Sequence, residues 1–541
     1  MGKLAVALLI LLPLLSDPGA DPAYPGPGEV EAVLRATPGD LPLGRLAEIG
    51  RSRQDRPILA LLSGLPGPLP IEGRPRLLVV AGLAADHRVG TATALALPKA
   101  LARLAAADSA VAELLSRCAV EIVPLVNPDG LAALLAGPER EFRGNLGPRD
   151  DDRDGRLDED PPRDLDGDGF VTWMRVPDPA GPLRISPEDP RLLVPADGSR
   201  FERGSFHLLP EGLDSDGDGE VAEDGPGGVD LDRNFPCGGD RYDPRRGPAQ
   251  PSEPESRALA GHLVGNPLIA AVLVYGRHDN LSGVPPANRA QGRAMPDGPF
   301  PDDVPLFSEA ARRFADTAAT PGALADPPAG AFHHFAYFCR GLPAFATPLF
   351  REPPAGDHLL PSGAKPASAD ARWLAWSDAA LDGAGFRSLA PFDHPTLGPV
   401  EIGGFAPLFR LNPPPDALPA LADAQARFVT ALLGLLPRPS LRAVEVRELA
   451  PGAHEVRVTL VNEGAFPLAT AMGERQRTLA PLRLSVEPAA AVLAGPTQAL
   501  VWRLPESART FRFTVAGMPG DRLRVLLASP RFPPLEAEVI L

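Results

Sequence analysis

Residues 119–130, AVEIVPLVNPDG, decide how most of this chain is read. The apolar run 120–126 is the pattern of a strand buried on both faces, and Asn127-Pro128-Asp129-Gly130 is a turn signal at its end. Working outward, 58–62, 77–83 and 268–276 are further short apolar runs bounded by Gly, Pro or charge, each the length of a buried strand. The Ala/Leu-rich stretch 91–117 predicts a helix, with Pro98 kinking it or marking its start. Ser252 and Glu255 spell a capping box that opens another helix through Val264. Strands alternating with helices predict an α/β domain with a mostly parallel sheet, whose chemistry gathers at the carboxyl ends of the strands. Attention therefore falls on the residues after Leu83, Val126 and Gly276.

Both ends of the chain have a different texture. Residues 443–461, AVEVRELAPGAHEVRVTLV, alternate apolar and polar around a Pro-Gly turn, and similar runs continue at 481–487, 498–504, 510–515 and 522–527. That pattern predicts an antiparallel β-sandwich of Ig-like size over 441–541, with 437–440, PRPS, as the linker. At the other end, 4–15, LAVALLILLPLL, follows Lys3 and is too short to span a bilayer, so 1–20 reads as a signal peptide. An uncleaved anchor is the alternative. The expected location is secreted, periplasmic or on the cell envelope, with no membrane span in the mature chain.

A net charge of −16 argues against a nucleic-acid partner, whose phosphates would be repelled, and favours cation binding or plain solubility. With 44% hydrophobic and 23% charged residues, 541 residues suffice for two or three domains with their own cores. The 3 cysteines, Cys118, Cys237 and Cys339, allow one disulfide at most.

The densest chemical signal lies in 150–224. Asp150, Asp152 and Asp154 with Gly155 fit D-x-D-x-D-G, as do Asp164, Asp166 and Asp168 with Gly169, and Asp214, Asp216 and Asp218 with Gly219. Alternate carboxylates with a glycine at the sharp turn wrap calcium in oxygen ligands. The twelfth positions are Pro161, Arg175 and Gly225 rather than Glu, so these are not EF-hands, and Asp158, Asp160 or Asp224 is left to close the shell.

PLVNPDG at 124–130, DRDGRLDEDPPRDLDGDGFVTWMR at 152–175 and GGVDLDRNFP at 227–236 resemble the M14 zinc carboxypeptidases, in particular a bacterial subgroup with aspartate-rich insertions. SEPESRAL at 252–259 and HPTLGPVEIGG at 394–404 fit the same subgroup, and the resemblance covers about 25–435. It implies a mixed eight-stranded sheet with helices on both faces. It also implies a zinc-bound water attacking a C-terminal peptide bond, with zinc held by H-x-x-E after one strand and a His after a later one. Here the first motif falls on GLAADHRVG, 82–90, which puts Ala84 at the His position and His87 at the Glu position, and Gly276 stands at the later His. Elsewhere the resemblance makes Arg143 an oxyanion stabiliser, Arg233 the grip on a substrate carboxylate with Asp232 in place of its Asn partner, and Glu401 the general base.

Three functions follow from these residues. A pseudo-peptidase would keep the cleft and bind peptide or a C-terminal carboxylate without hydrolysis. A working zinc metallocarboxypeptidase would need displaced ligands, namely His87, the displaced candidate His278, and Asp86 or Asp279. A calcium-stabilised envelope or adhesion protein would work through its acidic loops and sandwich. Adjacent in sequence, His333 and His334 suit a ligand pair poorly.

Overall fold

Burial on both faces explains the central sheet, whose inner strands are buried at every residue. Along the chain run β1 (Leu43–Arg51), β2 (Pro57–Gly64), β3 (Arg76–Ala81), β4 (Ala119–Val123), β5 (Trp173–Pro177), β6 (Leu183–Ile185), β7 (Leu193–Pro195), β8 (Phe206–Pro210), β9 (Ile269–Tyr275), β10 (Ala344–Thr347), β11 (Phe386–His394) and β12 (Gly398–Phe405). In this computed structural model the described residues are 24–39, 42–149, 157, 160–215, 217, 219–222, 227–238, 243–287, 298–318, 329–350, 353, 358–504 and 508–541. The expected signal segment 1–20 lies outside them, as do Asp150, Asp152, Asp154, Asp158, Asp216, Asp218 and Asp224.

The first sheet has the order β1-β2-β4-β3-β9-β10. Its last four strands pair parallel and β1, β2 and β4 pair antiparallel. It is a mixed sheet of six strands among the described residues, where the resemblance implies eight. In β2, Ile58 and Ala60 join the main core, whereas Leu59 and Leu61 join a second cluster with Val30, Leu34, Leu131 and Leu134. Alternate side chains thus bury both faces, which is why this strand reads as one apolar run.

Local expectations are corrected at three places. Asn127-Pro128-Asp129-Gly130 starts the helix Pro128–Leu135, with the Asn127 side chain accepting from Gly130 N at 2.9 Å; a proline at the first helical position and an Asn cap are a helix start as well as a turn signal. The helix expected at 91–117 is two, Arg88–Ala107 with Pro98 inside it and Ser109–Arg117, parted where Asp108 caps the second through Ala110 N. The capping box at Ser252 does not form: the helix is Pro254–Gly265, and Glu255 turns away to accept from Arg53 N and Asn145 Nδ2.

The acidic insertion is more than loops. Strands β5 to β8 join β11 and β12 in a second six-stranded sheet, ordered β11-β12-β5-β8-β6-β7. It has its own small core of Met174, Val176, Val400 and Ile402. A short zipper ties it to the first domain: Glu139 N donates to Gly169 O and Val171 N to Glu139 O, both at 2.9 Å.

The C-terminal region is two four-stranded antiparallel sheets. One holds Pro439–Ala450, Ala453–Asn462, Arg509–Ala516 and Val492–Ala494; the other holds Gln498–Val501, Leu482–Glu487, Arg522–Ser529 and Phe532–Ile540. Pro439 and Ser440, expected in the linker, already pair with Asn462 and Val461, because the polar pair still alternates with the strand that follows. Asp303, fully buried, anchors this region: its carboxylate accepts from Ala471 N at 2.7 Å, Met472 N at 3.2 Å and the Tyr337 hydroxyl at 2.7 Å. A disulfide joins Cys237 to Cys339 across a separation of 102 residues, and Cys118 is free and buried.

Candidate functional site

The parallel strands β4, β3, β9 and β10 end side by side, and the loops leaving them build the site. After β3 the chain turns at Gly82, where φ is +64° and a Cβ would stand 2.9 Å from the Leu125 backbone. Ala84, Ala85, Asp86 and His87 follow, all buried. Asn412 clips this loop, its amide donating to Asp86 O at 2.9 Å and accepting from Val89 N at 2.8 Å. His87 Nε2 lies 3.0 Å from Pro348 O, beyond the end of β10. A carbonyl only accepts, so Nε2 carries the proton, and buried Nδ1 has no hydrogen bond among the described residues. Burial lowers the His87 pKa to about 4, so the ring is neutral.

After β9 come Gly276, Arg277 and His278. A Cβ on Gly276 would stand 3.4 Å from Asp232 Oδ2, and His278 Nε2 lies 3.2 Å from that same oxygen. Asp232 Oδ1 accepts from Phe332 N at 2.9 Å. Arg277 pairs with fully buried Asp86 at 3.1 Å, and the second oxygen of Asp86 has no hydrogen bond among the described residues. Thus one ion pair joins the two loops that the resemblance would have zinc bridge.

Arg233 sits between Asp230 at 3.3 Å and Asp243 at 3.8 Å, so its charge is already matched by two acids. Asp232 takes His278 as its partner. Burial raises the Asp230 pKa, opposed first by Arg143 and then by Arg233, which places Arg143 in the same electrostatic cluster. Glu401 is elsewhere: on β12 in the second sheet, its carboxylate is 2.5 Å from Arg175 on neighbouring β5. The arginine occupies an oxygen that a general base would use.

Sequence reasoning passed over two groups. His333 and His334 lie on a short helical turn that runs into Phe335–Cys339, and with His278 they line a cavity of about 50 Å³. The His278 and His333 rings are 5.2 Å apart, and those of His333 and His334 5.0 Å. Burial drives the His333 pKa well down and that of His334 to about 3. Their adjacency hid them, since a tight turn sets consecutive side chains around one cavity. The second is Glu211, fully buried, which accepts from Leu165 N at 2.6 Å and Thr172 N at 2.8 Å. It closes the loop of Asp164 and Asp166: ligand atoms of these three acids all lie within 4.8 Å of one another. Nothing in the local spacing points to a residue so far along the chain. Asp168 caps Phe170 N, and Asp214 caps Gly217 N.

Zinc does not fit these residues. Ala84 and Gly276 offer no ligand atom, and His87 Nε2 is bound to a carbonyl. The displaced set is not assembled either: His278 faces Asp232, Asp86 faces Arg277, and Asp279 accepts from Leu281 N and Ser282 N. Among the described residues the group with metal-binding spacing is Asp164, Asp166 and Glu211, an oxygen set suited to a hard cation.

Residues 438–540 match a domain of unknown function. No curated protein matches significantly. Similar solved structures include bovine thrombin-activatable fibrinolysis inhibitor in complex with tick carboxypeptidase inhibitor, at 14% identity and TM-score 0.41 over 76% of this chain and 97% of that one. The carboxypeptidase A of Helicoverpa armigera gives 14%, 0.34, 60% and 63% in the same order, and the metallo-carboxypeptidase of Burkholderia cenocepacia 13%, 0.34, 75% and 68%. Residues 32–164 match the model of the zinc carboxypeptidase family.

Proposed function

We propose that this chain is an exported carboxypeptidase-like protein that binds peptide, or another carboxylate-bearing ligand, without hydrolysing it. The observation that carries the reading is the buried Asp86–Arg277 pair. A guanidinium linking the loop after β3 to the end of β9 gives the cleft floor a cross-link that needs no metal, and it offers no bound water to attack a peptide bond. Paired Arg233 weakens the case for a strong carboxylate grip there, and Arg143, which acts on the same Asp230, is the second cation to test. Export is supported by the Cys237–Cys339 disulfide, which persists in oxidising compartments, and by the apolar run at 4–15. A structural calcium belongs to this reading as a proposal, resting on the oxygen cluster of Asp164, Asp166 and Glu211.

The test is a hippuryl dipeptide incubated with the mature protein in zinc and calcium. Saturable binding with no release of the C-terminal amino acid is expected, with Arg143→Ala weakening the binding. Chelator-sensitive release that Glu401→Gln abolishes would instead make the protein a working peptidase.

A further inference from the structure

A roomy cavity lies away from the strand ends. It measures about 570 Å³, within the usual range of ligand pockets, and opens between the first domain and the second sheet. Trp173, Leu209 and Val221 wall it on the side of the second sheet, and Arg140 and Glu141 face them from the first domain. The zipper of Glu139 with Gly169 and Val171 fixes this opposition, because it sets 140–141 beside 171–173.

Two features point to an occupant. Trp173 alternates with fully buried Met174 along β5, so its indole is turned to the opposite side and is 41% exposed. A broad ring left open on a pocket wall suits a large apolar or aromatic side chain. Glu141, at the rim, has no hydrogen bond or ion pair among the described residues. Its neighbour Arg140 does not neutralise it: that guanidinium donates to Ala133 O at 3.1 Å and lies 5.6 Å from the Phe142 ring. Glu141 is exposed at the rim, within electrostatic reach of Asp86 and of Arg277, Arg143 and Arg410.

We propose that the pocket walled by Trp173, Leu209 and Val221, with Glu141 at its rim, takes a peptide segment in which a large apolar side chain is followed by a basic one. The proposal rests on the peptide-binding reading above and names the side chains that reading leaves open. It places recognition in the aspartate-rich insertion, so a cleft without zinc would still discriminate among sequences.

Calorimetry on the full mature chain in calcium buffer tests it with acetyl-Phe-Arg-amide, acetyl-Ala-Arg-amide and acetyl-Phe-Glu-amide. The first is expected to bind at least about tenfold more tightly than the others, and Trp173→Ala to weaken it by a similar factor. Glu141→Lys, at a position with no hydrogen bond among the described residues, is expected to reverse the preference between Arg and Glu. Equal affinities for the three amides, or binding unchanged in both variants, overturns the pocket. The free acid acetyl-Phe-Arg separates the two claims. If it binds through Arg143 while no amide binds, the pocket falls and the peptide reading stands; if neither acid nor amide binds, both fall.

Discussion

Asp86 has no exposed surface, and its charge is tolerable there because Arg277 stands 3.1 Å away. Removing one member of a buried pair leaves the other charge stranded, which costs far more than the pair itself contributes. Arg277→Ala is therefore expected to lower unfolding free energy by about 3–5 kcal/mol in urea titration, with or without chelator. His87 gives a second test at this scale. Its pKa is near 4 in the fold, against about 6.5 in an unfolded chain. As pH falls below about 6.5 the unfolded chain takes up a proton that the fold refuses, so stability drops toward pH 4, by up to about 3 kcal/mol for this one group. His87→Gln keeps a donor for Pro348 O and does not titrate; a flatter stability profile between those pH values is the expected outcome, and an unchanged slope would place the titration elsewhere.

At the scale of elements, the acidic insertion holds the most testable chemistry. Asp164, Asp166 and Glu211 meet although one of them arrives from the end of β8, and Glu211 also holds Thr172 on the pocket wall. If calcium sits there, excess EGTA should lower Tm by about 5 °C in the parent protein and leave Asp166→Ala unchanged. The acids of the D-x-D-x-D-G motif at 164–169 were legible because carboxylate spacing is local, whereas 150–155 and part of 214–219 lie outside the described residues. Glu211 was not legible, because only the folding of β5 against β8 brings it to the loop. Strands β11 and β12 were equally hidden: HPTLGPVEIGG read as a catalytic motif, yet its Glu401 belongs to a sheet pairing with Arg175. The buried strands of the first sheet were readable from their unbroken apolar runs, whereas the Asn127 cap was not, since the same four residues serve a turn or a helix start.

For the whole molecule, two long-range ties join distant parts. Asp303 caps the helix Ala471–Gln476 beside the C-terminal sheets, and Cys237–Cys339 joins the Arg233 loop to the segment bearing His333 and His334. A link closing a loop of this length is worth about 2–5 kcal/mol. Cys339→Ala should lose that much in urea titration, and a reductant should do the same to the parent protein but not to the variant. The central claim, that the cleft floor is held by an ion pair where zinc is not, is met most directly by metal analysis. The measurement is the zinc content of the folded mature protein after chelation and reloading in calcium buffer. The account predicts no zinc above background while the protein stays folded; near-stoichiometric zinc that disappears in the His87→Ala, His278→Ala double variant would contradict it.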